Sequence, residues 1–221
     1  MSFVIAVDGP AASGKGTVAS GLARLFDLPH LDSGLLYRAV GQAVLAAGGD
    51  LDDVAAATEA ARRLDPHDLE DPALRTREAG EAASRVAVHS PVRAALLDFQ
   101  HAFAAREPGA VIDGRDIGTV IAPGAPAKLF VTASPEVRAH RRWLQLKDEG
   151  VSLEEILADI ALRDERDSGR SAAPLVQAKD AVLLDTSEMT IEQAADAARR
   201  IVEAARARWE TSQKGEASQK G

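Results

Sequence analysis

Between the apolar run Phe3 to Val7 and the segment Lys15 to Phe26, whose apolar residues recur at helical spacing, lies Gly9-Pro10-Ala11-Ala12-Ser13-Gly14-Lys15-Gly16-Thr17. A strand that ends in a glycine-rich turn and feeds directly into a helix is the context in which such a turn binds phosphate. The glycines let successive backbone N–H groups converge on an anion, and the helix N-terminus behind them favours negative charge. Lys15 adds a mobile positive charge suited to the β- and γ-phosphates of a nucleoside triphosphate, whereas an ordinary strand-to-helix turn has no use for it. The residue after Lys15 is Gly16 rather than Ser or Thr, so Thr17 carries the hydroxyl that a metal ion would take. Gly9 to Thr17 are therefore the candidate ATP-binding residues.

Four further short apolar runs, Leu28 to Leu31, Ala110 to Ile112, Ala127 to Val131 and Ala181 to Leu184, read with Phe3 to Val7 as five buried parallel strands. Between and after them, helical patterns cover Lys15 to Phe26, Leu35 to Ala47, Asp53 to Leu64, Pro72 to Val88, Pro91 to Ala105, Pro135 to Lys147, Leu153 to Asp167 and Ile191 to Trp209. Ser134-Pro135 and Ser152 supply helix starts. The alternation predicts an α/β three-layer sandwich around a central five-stranded parallel sheet, with ligands at the carboxyl ends of the strands. We expect one domain over residues 1–210, with a helical acceptor-binding region at about 34–105 and a lid at about 163–175. The polar end, residues 211–221, repeats Ser-Gln-Lys-Gly and is expected to be disordered.

Composition narrows the function. With 34 acidic and 26 basic residues the net charge is −8, so neither nucleic acid nor an anionic membrane is an expected partner, and arginine clusters need a local explanation. The first residues lack the features of a signal peptide and no apolar run reaches a span, which points to a soluble chain. The absence of cysteine excludes a thiolate nucleophile and fits the cytoplasm. A GTPase would need an Asn-Lys-x-Asp reader, but the chain has no asparagine, and no apolar strand ends in the Asp-Glu pair of an ATP-driven motor. A small-molecule kinase remains.

Two more segments fall where strands end, and a third falls at the end of a helix. Leu31-Asp32-Ser33-Gly34-Leu35-Leu36-Tyr37-Arg38 is either a capped helix start with an exposed arginine or part of an acceptor site. Val111 to Thr119 contains Asp113-Gly114-Arg115-Asp116; Asp113, nearest the strand, is the candidate to hold Mg²⁺ through water. Arg163-Asp164-Glu165-Arg166-Asp167-Ser168-Gly169-Arg170 reads as a charge-paired helix face or as a lid that brings guanidinium groups over a phosphoryl group in transfer. His30, His67, His89, His101 and His140 show no metal-ligand spacing and are assigned to surface or packing roles, as Trp143 and Trp209 are to packing.

The Gly-Lys-Gly-Thr spelling resembles nucleoside monophosphate kinases. With Asp32-Ser33-Gly34, Tyr37-Arg38, Ser84, Pro91-Val92-Arg93, Asp113 to Asp116, Gly118-Thr119, Arg138-Ala139-His140-Arg141-Arg142, Arg163-Asp164 and Ala173-Pro174-Leu175, the chain from Ile5 to about Ile201 resembles the bacterial cytidylate kinases. That resemblance implies transfer of the γ-phosphate of ATP to CMP or dCMP, with Mg²⁺, in a monomer. It implies that Ser33, Arg93 and Asp116 face cytosine, that Arg38, Arg115 and Arg170 hold phosphates, and that Ser84, Arg163 and Asp167 meet the sugar. Lys15, Arg115, Arg163 and Arg170 would then act on the phosphoryl group itself. Rivals are a P-loop kinase for UMP, AMP or a small metabolite, and an ATP sensor without catalysis. Two departures stand out: Leu64 to Pro72 is too short and acidic for the strand insert of many members, and Gln100-His101 stands where Gln-Arg is expected.

If Lys15 neutralises charge that develops between the β- and γ-phosphates, Lys15→Ala lowers turnover by about 100- to 1,000-fold. Steady-state kinetics at saturating substrates measures this, and near-normal turnover would remove the phosphate-loop assignment.

Overall fold

In the computed structural model, which describes residues 2–146 and 149–219, the glycine-rich loop leaves the middle of a parallel sheet. The strands are β1 (Phe3–Asp8), β2 (His30–Asp32), β3 (Gly109–Gly114), β4 (Ala127–Thr132) and β5 (Val182–Asp185), in the order β2-β3-β1-β4-β5. Each lies within about two residues of its sequence prediction. The first strand made is the central one: Phe3 to Asp8 pair with Gly109 to Gly114 on one side, and Ile5 to Asp8 with Ala127 to Phe130 on the other. All six β1 residues are buried, as a strand covered on both faces requires.

The helices are α1 (Lys15–Phe26), α2 (Ser33–Ala46), α3 (Val54–Arg62), α4 (Arg77–Val86), α5 (Ser90–Ala104), α6 (Pro135–Leu146), α7 (Leu153–Gly169) and α8 (Ile191–Gln219). Alternation along β1 divides the core between two faces. Val4 and Ala6 join Leu36, Val40, Val86, Val92 and Leu96 from α2, α4 and α5, while Phe3, Ile5 and Val7 join Val18, Leu22, Ala198 and Val202 from α1 and α8. The Trp209 ring meets Phe3 at 5.3 Å between centroids. A third, smaller cluster, Ala139, Leu146, Ile156 and Ile160, joins α6 to α7, and Trp143 donates its indole N–H to Val151 O at 3.1 Å. Ser152 caps α7 through a reciprocal pair of bonds with Glu155.

Two expectations need correction. The helix anticipated over Pro72 to Val88 is divided: Pro66–Glu70 and Pro72–Arg75 are single 3₁₀ turns, and α4 starts afresh at Arg77 with Thr76 as its cap. Asp65 and Asp71 cap the two turns, so the acidic stretch that replaces a strand insert is itself a chain of helix starts. The segment 211–219, expected to be disordered, continues α8. Its Glu, Gln, Lys and Ala residues favour helix, and Thr211 Oγ1 bonds back to Ala207 O at 2.9 Å. Residues 220–221 lie outside the described residues.

Helices α2 and α4 approach closely because residue 41 has no side chain: a Cβ there would stand 2.7 Å from Ala82 Cβ and 3.1 Å from its backbone carbon. Gly41→Ala therefore pushes α4 outward and costs about 1–3 kcal/mol. Urea denaturation should show a lower midpoint at unchanged m-value.

Candidate active site

At the carboxyl end of β1 the chain turns at Gly9, where any Cβ would collide with the carbonyl oxygen of Val131 on β4. Gly14 caps α1 at φ +89°, a conformation glycine adopts without strain. The Lys15 ammonium donates to Pro10 O at 3.5 Å. Burial, and then the nearby Arg115 guanidinium, lowers its pKa from 10.5 to about 8. The negative charge of a polyphosphate in the loop would oppose both effects.

Beside the loop, Asp32 and Asp113 are register partners on β2 and β3. Burial, followed by the charge of Asp32, pushes the Asp113 carboxyl above the usual carboxylate range. Its Oδ1 meets His30 Nε2 at 2.8 Å, while Oδ2 lies 3.9 Å from where a Cβ on Gly16 would stand. Asp113 thus borders the phosphate loop, as its sequence position suggested. His30 does not have the surface or packing role assigned to it; it is an immediate partner of Asp113.

A second cavity opens across β3 and gathers residues from five parts of the chain. Ser33 and Tyr37 come from α2, Ser84 from α4, Arg93 from α5, Arg115 and Asp116 from the turn after β3, and Arg163, Asp167 and Arg170 from the α7 end. Arg93 and Asp116 pair at 2.5 Å, and the Arg93 guanidinium lies 5.6 Å from the Tyr37 ring centroid. Ser33 Oγ donates to Asp113 O at 2.8 Å, in space left by Gly114, whose Cβ would collide with that hydroxyl. At the opposite end Asp167 accepts from Arg115 Nε at 2.6 Å and from Arg170. Burial would raise the Asp167 carboxyl, but the charges of Arg115, Arg170 and Arg163 outweigh it and hold the group well below the usual range.

Several buried donors here lack protein partners: Ser84 Oγ, Arg163 Nε and Arg170 Nε. Such orphans are rare in native proteins and cluster where a ligand completes the bonding. Burial, and then Arg115, lowers the Arg163 pKa to about 9, so Asp167 compensates this cation only in part. A larger cleft of about 890 Å³ continues from the phosphate loop past Arg38, Arg77, Arg115, Arg142 and Arg163. Arg38 donates to Leu74 O at 2.7 Å and to Thr76 O at 3.3 Å; burial and then Arg142 lower its pKa to about 10. Every sequence-predicted site residue thus lies in the phosphate loop, on one of these two cavities, or, for Asp113, beside the loop.

Asp8 escaped the sequence reading. It ends β1, and its two carboxylate oxygens accept the backbone N–H groups of Ile117 at 2.8 Å and Gly118 at 2.7 Å. Burial raises its pKa to about 6. The bonds hold the turn that carries Asp116, which continues as a π-type helical turn over Ile117–Ile121. An acid immediately before a glycine-rich loop was the available signal, but its partners are more than a hundred residues away.

The family model for "Cytidylate kinase" matches residues 5–204. A cytidylate kinase of Caulobacter sp. (strain K31) is 72% identical over 211 residues, 95% of this chain and 98% of that protein. One from Xanthobacter autotrophicus is 67% identical over 207 residues, 93% of this chain and 99% of that protein. Among solved structures, an uncharacterized protein from Eubacterium ventriosum superposes with a TM-score of 0.57 at 16% identity, covering 92% of this chain and 99% of the other, a likeness of fold alone.

With a free-state pKa near 8, Lys15 is about half protonated at pH 8 and becomes fully protonated when phosphates surround it. ATP binding at pH 8 should therefore take up roughly half a proton, falling towards zero below pH 7. Calorimetry in two buffers of different ionisation enthalpy measures the uptake. Lys15→Ala should abolish it.

Proposed function

Since the chain belongs to the cytidylate kinase family, we propose that it transfers the γ-phosphate of ATP to CMP or dCMP, yielding ADP with CDP or dCDP. The observation that carries this reading is the second cavity, with the Arg93–Asp116 pair at one end and orphaned donors on Ser84, Arg163 and Arg170 at the other. Cytosine presents an exocyclic amino donor beside a ring-nitrogen acceptor. A carboxylate and a guanidinium complement that edge, whereas uracil would leave buried groups unpaired. We assign Ser33, Arg93 and Asp116 to the base, and Ser84, Arg163 and Asp167 to the sugar. Although Asp167 already receives two arginines, an ionised carboxylate offers about four acceptor sites and can take a hydroxyl as well. Arg38, Arg115 and Arg170 are assigned to phosphates.

The reaction asks little covalent chemistry of the protein. The acceptor phosphate is ionised near neutral pH and needs no strong base, so its oxygen attacks the γ-phosphorus in line. Residues 9–17 hold the donor, Lys15 neutralises charge between the phosphates, and Arg115, Arg163 and Arg170 take the charge spread over the equatorial oxygens.

The residues beside the loop fit Mg²⁺. Thr17 offers an exposed hydroxyl, and the charge of a cation would offset the burial and the repulsion from Asp32 that push the Asp113 carboxyl up. Among the described residues no cluster of three or more His, Cys, Asp or Glu is set to hold a metal by itself. That suits an ion carried largely by ATP phosphates and waters, with Thr17 as ligand and Asp113 reaching it through water. When bound, the ion would supply neutralisation of the β- and γ-phosphates.

We place residues 34–105 as the acceptor-binding region and 163–175 as the lid of one domain. Donor and acceptor sites are built from a single chain, which supports a monomer, and dependence on ATP supports the cytoplasm. Among the described residues no helix is long and apolar enough to cross a membrane.

Initial rates with CMP, dCMP, UMP and AMP test the acceptor, and a faster rate with UMP than with CMP would overturn it. Asp116→Ala should raise KM for CMP by about 100-fold while KM for ATP changes less than about threefold. Equal changes in both constants would contradict the base-reading role.

A further inference from the structure

The Arg138-Ala139-His140-Arg141-Arg142 motif has no role in the reaction as derived so far, yet its first arginine is among the most completely bonded side chains near the site. Arg138 projects from the first turns of α6, and its side chain is only 5% exposed. Its Nε donates to Ala133 O at the end of β4 at 3.0 Å. Its Nη1 donates to Ala11 O in the phosphate loop at 3.4 Å and to Asp164 Oδ1 at 3.0 Å; Nη2 donates to Asp164 Oδ2 at 2.6 Å. One planar guanidinium thus joins the sheet, the phosphate loop and α7 through a two-pronged fork that lysine cannot reproduce.

Asp164 stands directly after Arg163 and three residues before Asp167 on α7. The two carboxylates bind arginines from opposite halves of the site: Asp164 takes Arg138, beside the ATP loop, and Asp167 takes Arg115, in the acceptor cavity. A rigid helix fixed at both points keeps Arg163 and Arg170 in register with donor and acceptor together. Ala12, next to the carbonyl that Arg138 holds, has φ +59°, a left-handed conformation that costs a non-glycine residue energy and needs outside support.

We propose that Arg138 and Asp164 form a positioning pair that seats the lid helix on the phosphate loop, so that the γ-phosphate is passed to the acceptor rather than to water. This rests on the phosphotransfer reading above. Neither residue touches the reacting atoms; each acts through the loop backbone and through Arg163.

The test measures CDP formation and release of inorganic phosphate side by side for the wild-type chain, Arg138→Lys, Asp164→Asn and the double variant. A misplacement of about 1 Å costs on the order of 100-fold in transfer. Each single variant should therefore lose about 10- to 100-fold in kcat with KM for CMP within about threefold, and the share of ATP released as phosphate should rise. Because both substitutions break one fork, the double variant should be no slower than the slower single one. A kcat within twofold of wild type, an unchanged partition between CDP and phosphate, or multiplicative losses in the double variant would overturn the proposal. A merely structural role would lower the urea midpoint without moving the partition. Should Arg138→Lys fail to fold, the near-isosteric Asp164→Asn, at a position that is 30% exposed, decides alone. If the wild-type chain makes no CDP, the acceptor reading fails. The pair is then judged on hydrolysis of ATP alone, which rises on substitution if the fork seats the lid and stays flat if it does not.

Discussion

The site depends on holding positive charge together in a chain whose net charge is −8. Lys15, Arg38, Arg93, Arg115, Arg142, Arg163 and Arg170 converge on two adjoining cavities; Asp32, Asp113, Asp116 and Asp167 lie among them, and Glu78, Glu81, Glu149 and Asp159 also line the larger cleft. Burial lowers the pKa of Lys15, Arg38, Arg142 and Arg163, so the folded chain alone leaves these cations poorly compensated. Where a carboxylate is supplied, as Asp167 is to Arg115 and Arg170, it is ionised firmly and fixes the direction of the forks. Removing either side of such a buried pair costs about 3–5 kcal/mol, because the partner stays behind uncompensated. Polyanionic ligands complete the balance.

The sheet makes that crowding possible. With β1 between β3 and β4, the phosphate loop, the turn carrying Arg115 and Asp116, and the start of α6 all leave the same edge. Asp8 ties the first to the second by accepting Ile117 and Gly118 N–H, and Arg138 ties the first to α7 through Ala11 and Asp164. On the phosphate-loop side Arg138 holds a backbone carbonyl, and Asp8 likewise holds backbone N–H groups. Side chains that border the loop thus fix where the main chain lies.

Much of this was legible from residue order. The loop from Gly9 to Thr17 and all five strands could be expected from periodicity and motif context, which record local geometry, whereas the gathering of Ser33, Ser84, Arg93, Asp116 and Asp167 was implied by the family resemblance alone. His30, Asp8 and Arg138 were not legible as site elements. Their partners Asp113, Gly118 and Asp164 are 83, 110 and 26 positions away, and only strand order and helix rotation bring them close. The helix expected over Pro72 to Val88 failed for the opposite reason: Thr76, a local cap, overrode a continuing periodicity. The end of α8 was misjudged on polarity, although its residues favour helix individually.

The central position of β1 has a consequence for how the chain comes into being. Its six apolar-rich residues precede both flanking strands, Gly109–Gly114 and Ala127–Thr132, by more than a hundred residues. At ordinary translation rates that gap lasts roughly 5–20 s, during which α1 to α5 can form but the phosphate loop has no sheet to rise from. Trp209 then closes over Phe3 from α8, joining β1 to a helix made about two hundred residues later. The nucleotide site is therefore among the last features of the nascent chain to exist, and a ribosome stalled before β4 releases a fragment that carries the binding motif but lacks the strand against which Gly9 must turn.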